Sequence, residues 1–142
     1  MKISARNTFS GTVAAVRLGA VNAEVDFTTA GGDNIVAIIT NESVQNLALA
    51  AGTAAVALVK ASSVMVLVEG SGLKLSARNC LSGSVVKLAA GPVSAEVGIA
   101  LPGGEVVHAS ITQESVKELG IAVGDTVTAV FKASSVILAV AG

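Results

Sequence analysis

Ser4-Ala5-Arg6-Asn7 stands at the head of the chain and returns unchanged seventy-two positions later as Ser76-Ala77-Arg78-Asn79. At that offset the two halves align without a gap, from Ile3 against Leu75 to Gly70 against Gly142, and roughly thirty of the 68 pairs are identical. The molecule is therefore a tandem repeat of one small unit, divided as 1–70 and 71–142. Comparing the copies separates what both need from what either tolerates. Of nine basic residues, only Arg6 with Arg78 and Lys60 with Lys132 match in the body of the repeat; Lys2 pairs with Lys74 at its edge.

Units of about 70 residues lie near the lower limit for an independent core. With 52% hydrophobic and 13% charged residues, the chain carries more apolar surface than two such units bury alone, which predicts a tight homo-oligomer. The apolar residues are chiefly Val, Ala, Ile and Leu, with three Phe and neither Trp nor Tyr. Platforms for stacking bases are thus missing, and a net charge of −1 supplies no face to neutralise a phosphate backbone, so no nucleic acid is expected as a partner. The single cysteine, Cys80, aligns with Thr8 and reads as a small buried or half-buried residue in a reducing compartment. Met1-Lys2-Ile3-Ser4 has no apolar leader core, and the most apolar run, Leu47 to Val59, is interrupted by Gly52 and Thr53. It falls short of the ~20 residues a spanning helix requires, so we expect no membrane partner and a cytoplasmic location.

Local patterns predict strands. Val21-Asn22-Ala23-Glu24-Val25-Asp26-Phe27 alternates strictly, placing Val21, Ala23, Val25 and Phe27 on a core face. Gly31-Gly32-Asp33-Asn34, matched by Gly103-Gly104-Glu105, marks a hairpin turn before Ile35 to Ile39. Thr40-Asn41-Glu42-Ser43-Val44 and its counterpart from Thr112 read as a capped helix of one or two turns. Two β-rich runs follow, parted by Lys60-Ala61-Ser62-Ser63 and, in the second copy, Lys132-Ala133-Ser134-Ser135. The expected fold is all-β: two tandem OB-like five-stranded Greek-key barrels, each with a short helix, joined by Glu69-Gly70-Ser71-Gly72 and lying side by side. A small sandwich is the alternative.

No catalytic constellation is visible. His108, the only histidine, faces Val36 in the alignment and reads as an ordinary strand residue. Glu24 with Glu96, Asp33 with Glu105 and Glu42 with Glu114 are explained by turn, cap and outward strand positions. What both copies keep is Ser4, Arg6 and Asn7; Thr40 and Ser43; and Lys60 to Ser63. One reading makes these a solvated strand and polar turns. The other makes them a pocket of hydrogen-bond donors, which suits a fully ionised tetrahedral oxyanion because that species only accepts. Phosphate near neutrality keeps a proton and wants an acceptor, so a donor-only pocket favours molybdate, tungstate or sulfate. Retention of charge in both copies favours the second reading.

Ser-Ala-Arg-Asn, then Gly-Ala-Val-Asn-Ala-Glu-Val, Ile-Thr-x-Glu-Ser and Val-x-Lys-Ala-Ser-x-Val, in order and in both halves, resemble the molybdenum-pterin-binding-protein domain in its tandem form, the di-domain molbindins. The resemblance implies OB-like barrels, assembly as a homotrimer, and molybdate or tungstate held between domains for cytoplasmic storage and homeostasis, with no enzymatic activity and no further cofactor. It implies oxyanion contacts from Ser4, Arg6, Lys60 and Ser62 with Thr40 and Ser43 of a facing domain, and equally from Ser76, Arg78, Lys132, Ser134, Thr112 and Ser115. Molybdenum or tungsten would be held only as the oxyanion, without direct protein ligands, and the two arginines could act through backbone amides. A second kind of site near the threefold axis maps to Val21 and Asn22, with Val93 and Ser94 as counterparts; Pro92, beside the latter pair, lacks an N–H donor. The rival expectations are an oligomeric scaffold without ligand and a carrier of a pterin cofactor.

Overall fold

The computed structural model describes residues 2–68 and 73–142; the joining segment Glu69-Gly70-Ser71-Gly72, and with it the boundary at 70, lies outside them. The first repeat runs β1 (Asn7–Leu18), β2 (Asn22–Thr29), β3 (Asn34–Thr40), α1 (Asn41–Asn46), β4 (Ala54–Val59), a single 3₁₀ turn (Ala61–Ser63) and β5 (Met65–Leu67). The second repeats this order as β6 (Asn79–Ala90), β7 (Ser94–Ala100), β8 (Val106–Thr112), α2 (Gln113–Leu119), β9 (Thr126–Phe131), a 3₁₀ turn (Ala133–Ser135) and β10 (Ile137–Ala139). The fold is all-β with two five-stranded sheets and few short helices, as the patterning predicts.

Alternation does what it should along β2, where Ala23, Val25 and Phe27 are buried. Val21 is the exception at 71% exposed: it lies in the turn before β2, beyond the reach of the core. Gly32 and Gly104 adopt φ of +91° and +95° in the two β-hairpins, a conformation that costs glycine little. At Gly11 the β1 backbone passes so close to β2 that a side-chain carbon would collide with the Thr28 carbonyl oxygen, and Gly83 repeats this against Ala100.

The sheets are not each built from one repeat. Their strand orders are β10-β4-β1-β2-β3 and β5-β9-β6-β7-β8, so each repeat supplies four strands to its own sheet and the fifth to the other. Ile137 pairs with Leu58 across one exchange and Met65 with Val130 across the other. The result is one apolar core, running from Phe9, Phe27 and Ile35 to Ile99, Phe131 and Val136. Side by side therefore understates how the halves are joined.

Two buried asparagines reinforce the exchange. Asn7 donates from Nδ2 to His108 O at 2.8 Å and accepts at Oδ1 from His108 N–H at 2.7 Å. Asn79 does the same to Val36, at 2.8 Å in both directions. Each amide side chain thus mimics one rung of a β-ladder on the outer edge of β8 or β3, satisfying two backbone groups of the opposite repeat. Cys80 departs from expectation. It faces outward on β6, is exposed, and its thiol lies 3.5 Å from Ala77 O.

Candidate functional site

The conserved tetrapeptide splits its labour by position. Its asparagine clasps the opposite half, as described. Its arginine does likewise: Arg6 Nη2 lies 2.6 Å from Glu96 Oε1, and Arg78 makes a two-pronged contact with Glu24 at 2.9 and 3.0 Å. Its serine lines a cavity. The guanidinium groups are thus engaged by carboxylates, which leaves Lys60 and Lys132, the two lysines beside the serines, as cations without an ion-pair partner among the described residues.

Strand exchange shapes the cavities. A space of about 790 Å³ is bordered by Ser4 and Arg6 before β1, by Lys60 and Ser62 after β4, and by Ser94, Glu96 and Ser110 of the second repeat. Lys60 precedes a 3₁₀ turn whose first closing bond runs from Ser63 N–H to Lys60 O at 2.9 Å; amides at the start of such a turn have no acceptor within it. The counterpart, of about 600 Å³, gathers Ser76, Arg78, Lys132 and Ser134, with Ile38, Met65 and Val130. Four predicted residues of each set, drawn from two sequence segments, thus share one cavity.

Thr112 and Ser115 line a third, smaller cavity of about 350 Å³ together with Ser62 and Ser110, so it adjoins the first through those two serines. Thr40 and Ser43 line none of these three cavities. Both Thr-Ser pairs have a local task. Thr40 Oγ1 accepts from Ser43 N–H at 3.0 Å and donates to Ser43 Oγ at 2.9 Å; Thr112 caps α2 through Ser115 at 3.0 and 2.7 Å. A threonine hydroxyl has one proton, and it is spent here; the serine proton remains to be donated outward.

Of the axial candidates, Ser94 borders the Lys60 cavity, while Val21 and Val93 lie in exposed turns and Asn22, also exposed, opens β2. The carbonyls of Val21 and Asn22 accept from Asn41 and Gly19, and those of Val93 and Ser94 from Gln113 and Gly91, each at 2.8–2.9 Å. These turns are accordingly rigid and present little but amides and side chains.

The acids are more than outward strand residues. Arg78, then Arg17, hydrogen-bonds Glu24 and draws its carboxyl from 4.5 down to about 2. Glu96 is held below the usual carboxylate range by its hydrogen bond to Lys87 and by the charge of Arg6, against the burial that opposes ionisation. Glu96 also borders the Lys60 cavity, so that lining is not made of donors alone; Arg6 and Lys87, at 2.6 and 2.8 Å, offset its charge. His108 sits in β8, its Nδ1 3.8 Å from Glu96 Oε1. Among the described residues no group of three or more metal-ligating side chains forms, and no helix is long and apolar enough to cross a membrane.

The TOBE domain model matches the chain twice, over residues 3–66 and 75–138. A molybdenum transport protein ModE of Azotobacter vinelandii is 50% identical over 142 residues, and a molybdenum-pterin-binding protein MopA of Rhodobacter capsulatus is 44% identical over 139. The chain spans about half the length of each, 52%. Among solved structures, the cytoplasmic molybdate-binding protein ModG, in a crystal form with molybdate bound, superposes with a TM-score of 0.96 at 52% identity, covering 99% of this chain and 100% of that one.

Proposed function

The chain belongs to the TOBE-domain family, and on that premise we propose that it is a cytoplasmic molybdate-binding protein, able to take tungstate, that stores the oxyanion rather than transforming it. One observation carries this reading. In each exchanged-strand cavity a lysine without carboxylate contact among the described residues lines the same space as two serines, Lys60 with Ser4 and Ser62, and Lys132 with Ser76 and Ser134. A dianion entering there exchanges water for a fixed positive charge and several donors already in place. Arg6 and Arg78 hold the walls through Glu96 and Glu24 and contribute to the ligand through their backbone amides.

Ser43 and Ser115 donate their hydroxyl protons from the facing surface, and Thr40 and Thr112 hold those serines in place. Val21, Asn22, Val93 and Ser94 form the axial site. Both assignments depend on a homotrimer, which is supported by the apolar side chains that rim the cavities: Ile3, Met65, Leu75 and Ile137 are between 43% and 60% exposed. A copy packed there would remove them from water and close the cavities over the anion. Release follows when competing binders lower the free anion concentration.

Isothermal titration calorimetry of the purified protein with molybdate, tungstate, sulfate and phosphate, run beside the double variant Lys60→Ala, Lys132→Ala, tests this reading. Molybdate and tungstate should bind, the smaller sulfate and the protonated phosphate should not, and the variant should lose roughly tenfold or more in affinity. Absence of heat with every anion would leave an oligomeric scaffold as the description.

A further inference from the structure

The two repeat-equivalent cavities differ at one wall. Position 110 of β8 and position 38 of β3 are equivalent through the repeat, and both border their cavities beside the conserved lysine turn, but one is serine and the other isoleucine. Ser110 pairs across the sheet with Glu96, and Ile38 occupies the same place opposite Glu24. The larger cavity also extends over Ala89 and Ala90, where the other half carries Arg17 and Leu18. Arg17 is drawn away to Glu24 and Asp26 at 2.6 and 2.8 Å. Finally, Ser110 stands where the large cavity meets the small one lined by Thr112 and Ser115.

We propose that Ser110 is a specificity-determining residue that makes the Lys60 cavity the tighter oxyanion site of each chain, and that Ile38 makes the Lys132 cavity the weaker one. The inference rests on the oxyanion reading and adds an order of filling. A bound dianion must find a donor for each lone pair it withdraws from water; the Ser110 hydroxyl supplies one, whereas the Ile38 methyl groups strip water and return nothing. Glu96 borders the Lys60 cavity whereas Glu24 does not border its counterpart, but Glu96 does not reverse this order, because Arg6 and Lys87 hold its carboxylate.

Molybdate titrations of the single variants separate the sites: Lys132→Ala leaves the Lys60 cavity intact, and Lys60→Ala leaves the Lys132 cavity. The first should bind molybdate roughly tenfold more tightly than the second, the effect of one hydrogen bond to a charged group. Adding Ser110→Ile to the first should erase that advantage, and adding Ile38→Ser to the second should recover it. Both exchanges install a residue that the equivalent strand already carries, so the fold should tolerate them. Equal affinities in the two single variants, the reverse order, or indifference to Ser110→Ile would overturn the proposal while leaving molybdate binding in place. Lack of binding by the unmodified protein would overturn both.

Discussion

Set against each other through the repeat, the Lys60 and Lys132 cavities share a lysine, two serines, two alanines and an arginine at matching positions, with Ile137 in one where Met65 stands in the other, yet one is also lined by Ser110, Ser94, Ala89 and Ala90 and the other by Ile38, Val66 and Leu67. The frame that holds them is matched more closely, although Arg78 grips Glu24 by two prongs and Arg6 meets Glu96 by one. Asn7 and Asn79 make the same pair of bonds to the opposite half, at 2.7–2.8 Å, and each arginine of the tetrapeptide meets the same glutamate position. Duplication has thus kept what joins the halves and allowed the walls of the two cavities to diverge. A frame built by exchanging strands has to be matched on both sides, because a change in one half alters an edge of the other.

The largest expected effect tests the sameness of the frame. Asn7→Ala and Asn79→Ala each strand a part-buried backbone N–H and C=O on an edge strand, and each should cost about 1–3 kcal/mol in denaturant unfolding. Unequal costs would show that the exchange leans on one clasp. A smaller effect concerns the carboxylates. Glu24 is ionised in the folded protein down to about 2 against 4.5 ordinarily, so its contribution is complete above the ordinary value and is lost as pH falls toward 2. Glu96 is shifted in the same direction, so its contribution too is lost on acidification below the ordinary range. Denaturation midpoints compared at pH 7 and pH 3 should fall on acidification, with Glu24→Gln flattening the fall more than Glu96→Gln. A larger flattening from Glu96→Gln would place the stronger inter-half ion pair on the other side.

Much of this was legible in the sequence. Strand alternation, the Gly-Gly turns, the Thr-capped helices and the repeat itself each have a local cause, and local causes leave local patterns. Exchange of β5 and β10 was hidden, because periodicity says that Met65–Leu67 is a strand but not which half it joins. The same blindness affected the tetrapeptide. Identity across copies marks a residue as needed twice, and a ligand contact and an inter-half clasp satisfy that criterion equally; only the bonds of Asn7 and the Arg6–Glu96 pair tell them apart. Glu24 and Glu96 read as outward strand positions for a related reason: their partners lie 54 and 90 positions away in the chain. Ser110 against Ile38 was visible in the alignment but had no meaning until β8 and β3 were placed beside the lysine turns.

The most direct measurement is a site-resolved one: crystals grown with tungstate, and the anomalous difference density located relative to the two lysines. The account predicts peaks bounded by Lys60, Ser4 and Ser62 and by Lys132, Ser76 and Ser134, with the first filling at the lower tungstate concentration. Tungsten found only away from both lysines would contradict it.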